Sequence, residues 1–90
     1  MLFMVIEKYK DDNSKAVYAR AKEKGRMIPE GLNYIDSWVS ADLSGCFQLM
    51  ETQDMSLFQQ WILQWQDLVD FEIIPVVTSK EAFEKVMYTV

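Results

Sequence analysis

The order of strand-like and helix-like segments constrains this chain more than any single motif does. Apolar runs with the two-residue period of strands are interleaved with segments that carry the 3.6-residue period of helices. In chain order these are a strand at 2–9, a helix at 14–26, strands at 33–41 and 46–51, a helix at 57–68, a strand at 71–77 and a short final helix. The order βαββαβ plus one helix is typical of the split-βαβ arrangement. We therefore predict a single α+β domain over residues 1–90 with an antiparallel, ferredoxin-like sheet.

The second helix carries the clearest periodic signal in the chain. Its apolar residues recur at the spacing of one helix face: Leu57, Phe58, Trp61, Ile62, Trp65 and Leu68. Trp61 and Trp65 are therefore expected to be core residues or the wall of a pocket. Before the final helix, Thr78 and Glu81 have the spacing of a capping box.

Composition excludes several classes of function. The chain has 14 acidic and 9 basic residues and a formal charge of −5, so it would repel a nucleic-acid backbone on average. No apolar stretch is long enough to cross a bilayer, and the apolar N-terminal run is too short for a signal peptide. We expect a cytoplasmic protein that binds neither nucleic acid nor a membrane. The single cysteine, Cys46, fits a reducing compartment.

Two sets of side chains alternate along the predicted sheet. An aliphatic set comprises Ile35, Val39, Phe47, Leu49, Ile74 and Val76. A mixed set comprises Tyr34, Trp38, Cys46, Met50, Phe71 and Ile73, with Asp36 and Gln48 among them. We expect the aliphatic set to pack beneath the helices and the mixed set to be covered by a second copy, which gives a homodimeric α/β barrel. The reverse assignment is also open, and it would place Asp36 and Gln48 in a pocket within one copy.

Four stretches carry a resemblance to a known family: residues 24–32 (KGRMIPEGL), 36–39 (DSWV), 46–51 (CFQLME) and 68–73 (LVDFEI). On these stretches, which span most of the chain, it resembles a family of short bacterial proteins of unknown function. The resemblance implies the dimeric α/β-barrel architecture and brings no established activity. The fold is more remotely similar to antibiotic-biosynthesis-type monooxygenases, haem-degrading monooxygenases and muconolactone isomerases. None of their motifs lies on this chain, and the histidine that haem-degrading members place on iron is missing because the chain has no histidine.

Asp36 is the candidate for proton transfer. A carboxylate between Tyr34 and Trp38 on an apolar face would have a raised pKa through desolvation, as a general acid or base requires. The alternative is a structural Asp that is paired with a cation or a backbone amide. Arg26 is its most plausible partner, or a clamp for an anionic ligand, or simply a solvated charge at a helix end.

The residues Tyr34, Trp38, Gln48 and Met50 are candidates to line a pocket for a flat apolar ligand. Packing in a core or a dimer interface is the competing interpretation, because aromatic side chains dominate interfaces. Cys46 has no histidine to activate it and is expected to be a small buried hydrophobe.

No metal site or cofactor is expected, since the chain lacks histidine, clustered cysteines and a glycine-rich phosphate loop. Two functions then compete. The first is a small-molecule-binding or structural homodimer without catalysis. The second is a cofactor-independent monooxygenase or isomerase for a small aromatic or polyketide-like substrate, with Asp36 moving the proton.

Overall fold

A computed structural model describes residues 1–88 of the chain. Its elements are β1 (Leu2–Tyr9), α1 (Ser14–Lys24), β2 (Asn33–Val39), β3 (Gly45–Glu51), α2 (Ser56–Leu63), β4 (Val69–Val76) and α3 (Ser79–Tyr88). A short 3-10 turn, Lys10–Asp12, joins β1 to α1. The predicted order of strands and helices in an α+β chain is confirmed.

The four strands form one antiparallel sheet in the order β2-β3-β1-β4. The central strand β1 pairs with β3 on one side and with β4 on the other. Gly45 opens β3, where a Cβ would lie 2.2 Å from the backbone oxygen of Glu7. The close approach of β1 and β3 therefore requires glycine at this position.

Helices α1 and α2 cover one face of the sheet, and the core lies between the two layers. Phe58 and Trp61 of α2 are buried there with Val17 of α1, and Phe58 meets the ring of Phe3 edge-on at 5.1 Å. The helix predicted for 57–68 ends at Leu63, and tight turns continue to residue 68. The amide of Trp65 donates to the Ile62 carbonyl at 2.9 Å in these turns, which keeps Trp65 on the buried side.

Helix α1 has only one buried apolar residue, so polar contacts help to fix it. The Arg20 guanidinium makes a two-pronged ion pair with Asp67, at 2.7 and 2.6 Å, and lies 5.5 Å from the ring centre of Trp65. This arginine holds the pKa of Asp67 down at about 2. Both ends of α1 are capped as well: Asn13 Oδ1 accepts the Ala16 amide, and Gly25 ends the helix at φ 70°.

The assignment of sheet faces differs from the preferred expectation. The mixed residues Cys46, Gln48 and Met50 are buried beneath the helices, whereas the aliphatic-set residues Phe47 and Ile74 are exposed. The reverse assignment is thus correct for β3 and β4. The reason is that β1 carries Phe3, Val5 and Tyr9 inward, in phase with the even-numbered residues of β3.

Strand β2 follows neither assignment throughout. Across the hairpin, Val39 pairs with Cys46 and Trp38 pairs with Phe47, so Val39 faces the helices and Trp38 faces away. A β-bulge between Tyr34 and Asp36 then shifts the phase, and Tyr34 returns to the helix side opposite Met50.

The sheet face opposite the helices is called the open face here. It is formed by Leu2, Met4, Ile6, Trp38, Phe47, Leu49, Ile74 and Val76, with Asp36, Lys8 and Glu72 among them. Trp38 is 53% exposed and Phe47 is 41% exposed. None of the helices within residues 1–88 combines the length and apolarity needed to span a membrane.

Candidate functional site

A half-open cavity of about 230 Å³ lies between the sheet and α1, next to the segment that follows α1. Its polar lining comes mainly from Glu7, Gln48, Cys46 and Arg26. Its apolar lining includes Tyr9, Val17, Tyr18, Ala21, Trp61 and Trp65. Apolar walls with a few convergent polar groups are typical of a small-molecule site.

The strand period of β1 places Glu7 in the cavity. Phe3, Val5, Glu7 and Tyr9 point to the helix side in turn, and Glu7 is only 8% exposed. Burial raises the pKa of Glu7 from 4.5 to about 7, although the hydrogen bond from Gln48 and the charge of Arg26 both lower it. This carboxyl can therefore exchange a proton near neutral pH.

Gln48 is hydrogen-bonded to that carboxyl. Its Nε2 donates to Glu7 Oε2, which holds the amide in place. Its Oε1 is buried and accepts no hydrogen bond from any of residues 1–88. A buried acceptor without a partner costs free energy, on the order of 1–3 kcal/mol. Gln48 therefore offers the cavity an acceptor that a ligand could satisfy.

The backbone of Arg26 is held at the cavity by two tryptophans. The indole N–H groups of Trp61 and Trp65 both donate to the Arg26 carbonyl oxygen, at 3.0 and 2.9 Å. The Arg26 guanidinium lies over the ring of Tyr34, 4.1 Å from its centre. The cation thus lies at the rim, stacked on an aromatic face, and close enough to Glu7 to lower its pKa.

Cys46 adjoins Glu7 in the cavity, because the two residues are paired across β1 and β3. Burial and the neighbouring Glu7 raise the pKa of the Cys46 thiol to about 11. A thiol with so high a pKa is protonated near neutral pH and is a poor nucleophile. The predicted buried, unreactive cysteine agrees with this environment.

The structure brings some of the predicted site residues together and separates others. Gln48 and Arg26 line the cavity, and Tyr34 lies beside it beneath Arg26. Met50 is fully buried in the core. Trp38 and Asp36 lie across the sheet on the open face, where Asp36 Oδ1 accepts the Ser37 amide at 2.8 Å. A role for Asp36 in proton transfer stays a prediction, but one that concerns the open face.

Glu7 was not among the residues predicted for the site. The strand predicted at 2–9 includes Glu7, but the unbroken apolar run at its start does not show which of its residues point toward the helices. Counting by twos from Phe3 and Val5 places Glu7 in phase with the core. A carboxylate in phase with buried residues is the signal that identifies it.

Among residues 1–88, no group of three or more His, Cys, Asp or Glu side chains is placed to hold a metal ion. The polar groups that line the cavity include a carboxyl, an amide, a thiol, a guanidinium and the hydroxyls of Ser37 and two tyrosines. This set suits an organic ligand that both donates and accepts hydrogen bonds.

Comparison with known proteins identifies a family whose function is unknown. The model of DUF3303, a domain of unknown function, matches residues 1–89. No curated protein and no solved structure matches the chain significantly.

Proposed function

The chain belongs to the DUF3303 family, whose function is unknown, and we propose that it binds a small organic molecule in its cavity. The observation that carries the proposal is the buried Glu7–Gln48 pair, in which Gln48 Oε1 has no partner among residues 1–88. A ligand with a hydroxyl or N–H donor would satisfy this acceptor, and its burial would be favoured by the aromatic walls.

The size of the cavity limits the ligand. A dry cavity of about 150 Å³ accepts benzene, and this one measures about 230 Å³. By that scale the ligand has roughly ten non-hydrogen atoms, which is smaller than a drug-sized molecule. Trp61, Trp65 and Tyr9 favour a flat ring, and Arg26 at the rim favours a carbonyl or carboxylate at the outer end.

The proposal includes a cytoplasmic homodimer. The open face exposes Trp38, Phe47 and Ile74 in one apolar patch, and a second copy would remove that patch from water. Two sheets would then face each other about a two-fold axis, and the cavities would lie on the outer, helix-covered sides. The buried, unpaired Cys46 suits a reducing compartment.

A second candidate function, proton transfer, is favoured by the environment of Glu7. Its pKa of about 7 suits both removal and return of a proton. In an isomerisation, the Glu7 carboxylate would take a proton from a carbon beside a carbonyl, and the electron pair would move onto the carbonyl oxygen. Arg26 would face that oxyanion. Return of the proton to a different carbon completes the step without a co-reactant.

Native mass spectrometry of protein purified from its own host tests binding and dimerisation together. We expect a dimer that retains a small molecule of a few hundred daltons or less. A fragment screen by thermal shift, with phenols and small aromatic amides, then tests the site with defined probes. A bare protein in the first measurement, together with no stabilising fragment in the second, would contradict the binding proposal.

Matched variants locate the binding. Gln48→Leu removes the free acceptor and the donor to Glu7, whereas Gln59→Leu makes the same change at an exposed position on α2. We expect Gln48→Leu to weaken fragment affinity by about tenfold or more, from the loss of a buried hydrogen bond. Equal affinity in both variants would place the ligand elsewhere.

Trp38→Asp tests the dimer. It puts a charge at the centre of the open face, where the wild-type side chain is already half exposed, so the folded protomer should survive. We expect a monomer in sedimentation. An unchanged dimer would show that the open face is not the interface.

A further inference from the structure

Helix α3 is an amphipathic helix whose apolar side is left uncovered by residues 1–88. Phe83, Val86 and Met87 form a stripe along it and are 58%, 78% and 60% exposed. No residue of α3 is buried. Two residues link α3 to β4, and Thr78 caps the helix, with the Glu81 amide donating to Thr78 Oγ1 at 3.1 Å.

The protomer is more extended than a compact chain of its length. Its longest axis is 49 Å and its radius of gyration is 14.9 Å, against about 12 Å for a compact chain of this length. A strand of eight residues spans about 27 Å, and a helix of ten residues adds about 15 Å. A helix that continues away from the end of β4, instead of folding back on the sheet, fits these dimensions and the exposure of α3.

A helix of this length needs tertiary contacts. Isolated helices shorter than about 12–15 residues are marginal in water, and most of their stability in proteins comes from packing an apolar face. Helix α3 has ten residues. Its local capping adds only about 1 kcal/mol, so its apolar stripe requires a surface to pack on.

The area of the open face points to the same requirement. The exposed fractions of Trp38, Phe47 and Ile74 amount to roughly 300 Å² of apolar surface on the open face. A standard interface buries about 800 Å² from each partner, of which about 450 Å² is apolar. The stripe of α3 adds roughly 350 Å². The three open-face side chains alone fall short of that apolar area, and together with the stripe of α3 they reach it.

We propose that α3 is an exchanged arm: in the dimer, the stripe Phe83–Val86–Met87 of each copy packs on the other copy and extends the interface of the open faces. The inference rests on the proposed dimer and adds the element that makes it stable. The occupant of the stripe is a second copy of this chain, because a two-fold axis supplies both arms with the same uncovered apolar surface.

A pair of charge-matched variants tests the arm in the full-length chain. Val86→Glu places a carboxylate in the stripe, and Lys85→Gln lowers the net charge by the same amount at the neighbouring exposed position. Both positions are exposed in the protomer, so both variants should fold. By sedimentation, we expect Val86→Glu to raise the dimer dissociation constant by tenfold or more. Lys85→Gln should change it less than twofold.

The outcomes separate the two proposals. A wild-type protein that is monomeric at 50 μM, about the concentration used for such runs, overturns the dimer and the arm together. A wild-type dimer with equal dissociation constants in both variants overturns the arm and leaves the dimer intact. In addition, a photo-crosslinking residue in place of Val86 should give a covalent dimer on a denaturing gel. A product of monomer mass alone would mean that α3 folds back on its own copy.

Discussion

Replacing Glu7 by Gln should change how the stability of the protein depends on pH. The folded protein holds this carboxyl at a pKa of about 7, against 4.5 for a solvent-exposed glutamate. The folded state therefore binds more protons than the unfolded state between these values, and stability falls as pH rises through that window. A shift of about 2.5 pH units corresponds to about 3 kcal/mol. The contribution of Glu7 to the free energy of unfolding is fully present below about pH 4.5 and is lost above about pH 7.

Urea unfolding followed by tryptophan fluorescence, at half-unit steps from pH 4.5 to 8.5 and at one protein concentration, measures this dependence. Gln keeps the shape and hydrogen-bonding capacity of the side chain but does not titrate. The difference in unfolding free energy, Glu7→Gln minus wild type, should rise by about 3 kcal/mol across the range. The chain has no histidine, so few other side chains titrate in this window.

Glu23→Gln is the matched control, since Glu23 is exposed on α1 and the change in charge is the same. Its curve should run parallel to the wild-type curve. A Glu7→Gln curve that is parallel as well would contradict this prediction, because the carboxyl would then have the same pKa in the folded and unfolded states. A difference of the opposite sign would contradict it too, since the folded state would then favour the charged carboxylate.

Three further predictions concern the walls of the cavity and the sheet beside it. Gly45→Ala should destabilise the protein by several kcal/mol in urea unfolding, because the new Cβ would lie 2.2 Å from a β1 carbonyl oxygen; a loss below 1 kcal/mol would contradict this. Trp65→Phe should lower the free energy of unfolding by about 1–3 kcal/mol. The double variant Trp61→Phe/Trp65→Phe should lower it by more than the sum of the two single variants, because the Arg26 carbonyl then loses both donors. The Cys46 thiol should react with iodoacetamide at pH 8 at least tenfold more slowly in the native protein than in urea, since its pKa is about 11; equal rates would show that it is exposed.

The fold was predictable because each element carries its own local signal. The period of α2 and the cap residue Thr78 before α3 each act over a few residues, and the structure contains both. The end of α2 was less predictable. Its apolar spacing continues to Leu68, but the α-helix ends at Leu63 and tight turns follow. Because a continued helix and these turns both keep Trp65 on the buried side, the apolar spacing does not distinguish between them.

The candidate site was only partly predictable because it depends on strand register. Whether Trp38 shares a face with Cys46 or with Phe47 depends on how many residues the hairpin loop contains. In the structure Val39 pairs with Cys46, so Trp38 lies on the same face as Phe47. The partial site of Gln48 and Arg26 was anticipated from residue type. Glu7 required knowledge of which residues of β1 point inward, which its unbroken apolar start conceals.

The bulge in β2 has a consequence for relatives of different length. Tyr34 and Trp38 are four residues apart, so a regular strand would turn both rings toward the same side. The additional residue lets one strand supply a ring beneath Arg26 and another ring to the opposite surface. A strand of the same length without the bulge would turn the phenol of Tyr34 away from the guanidinium and into the self-association surface. A homologue that lacks the additional residue loses the bulge as well, and the three-residue spacing that remains keeps the two rings on opposite faces. One-residue deletions at this point should therefore preserve both the ring beneath Arg26 and the ring on the opposite surface.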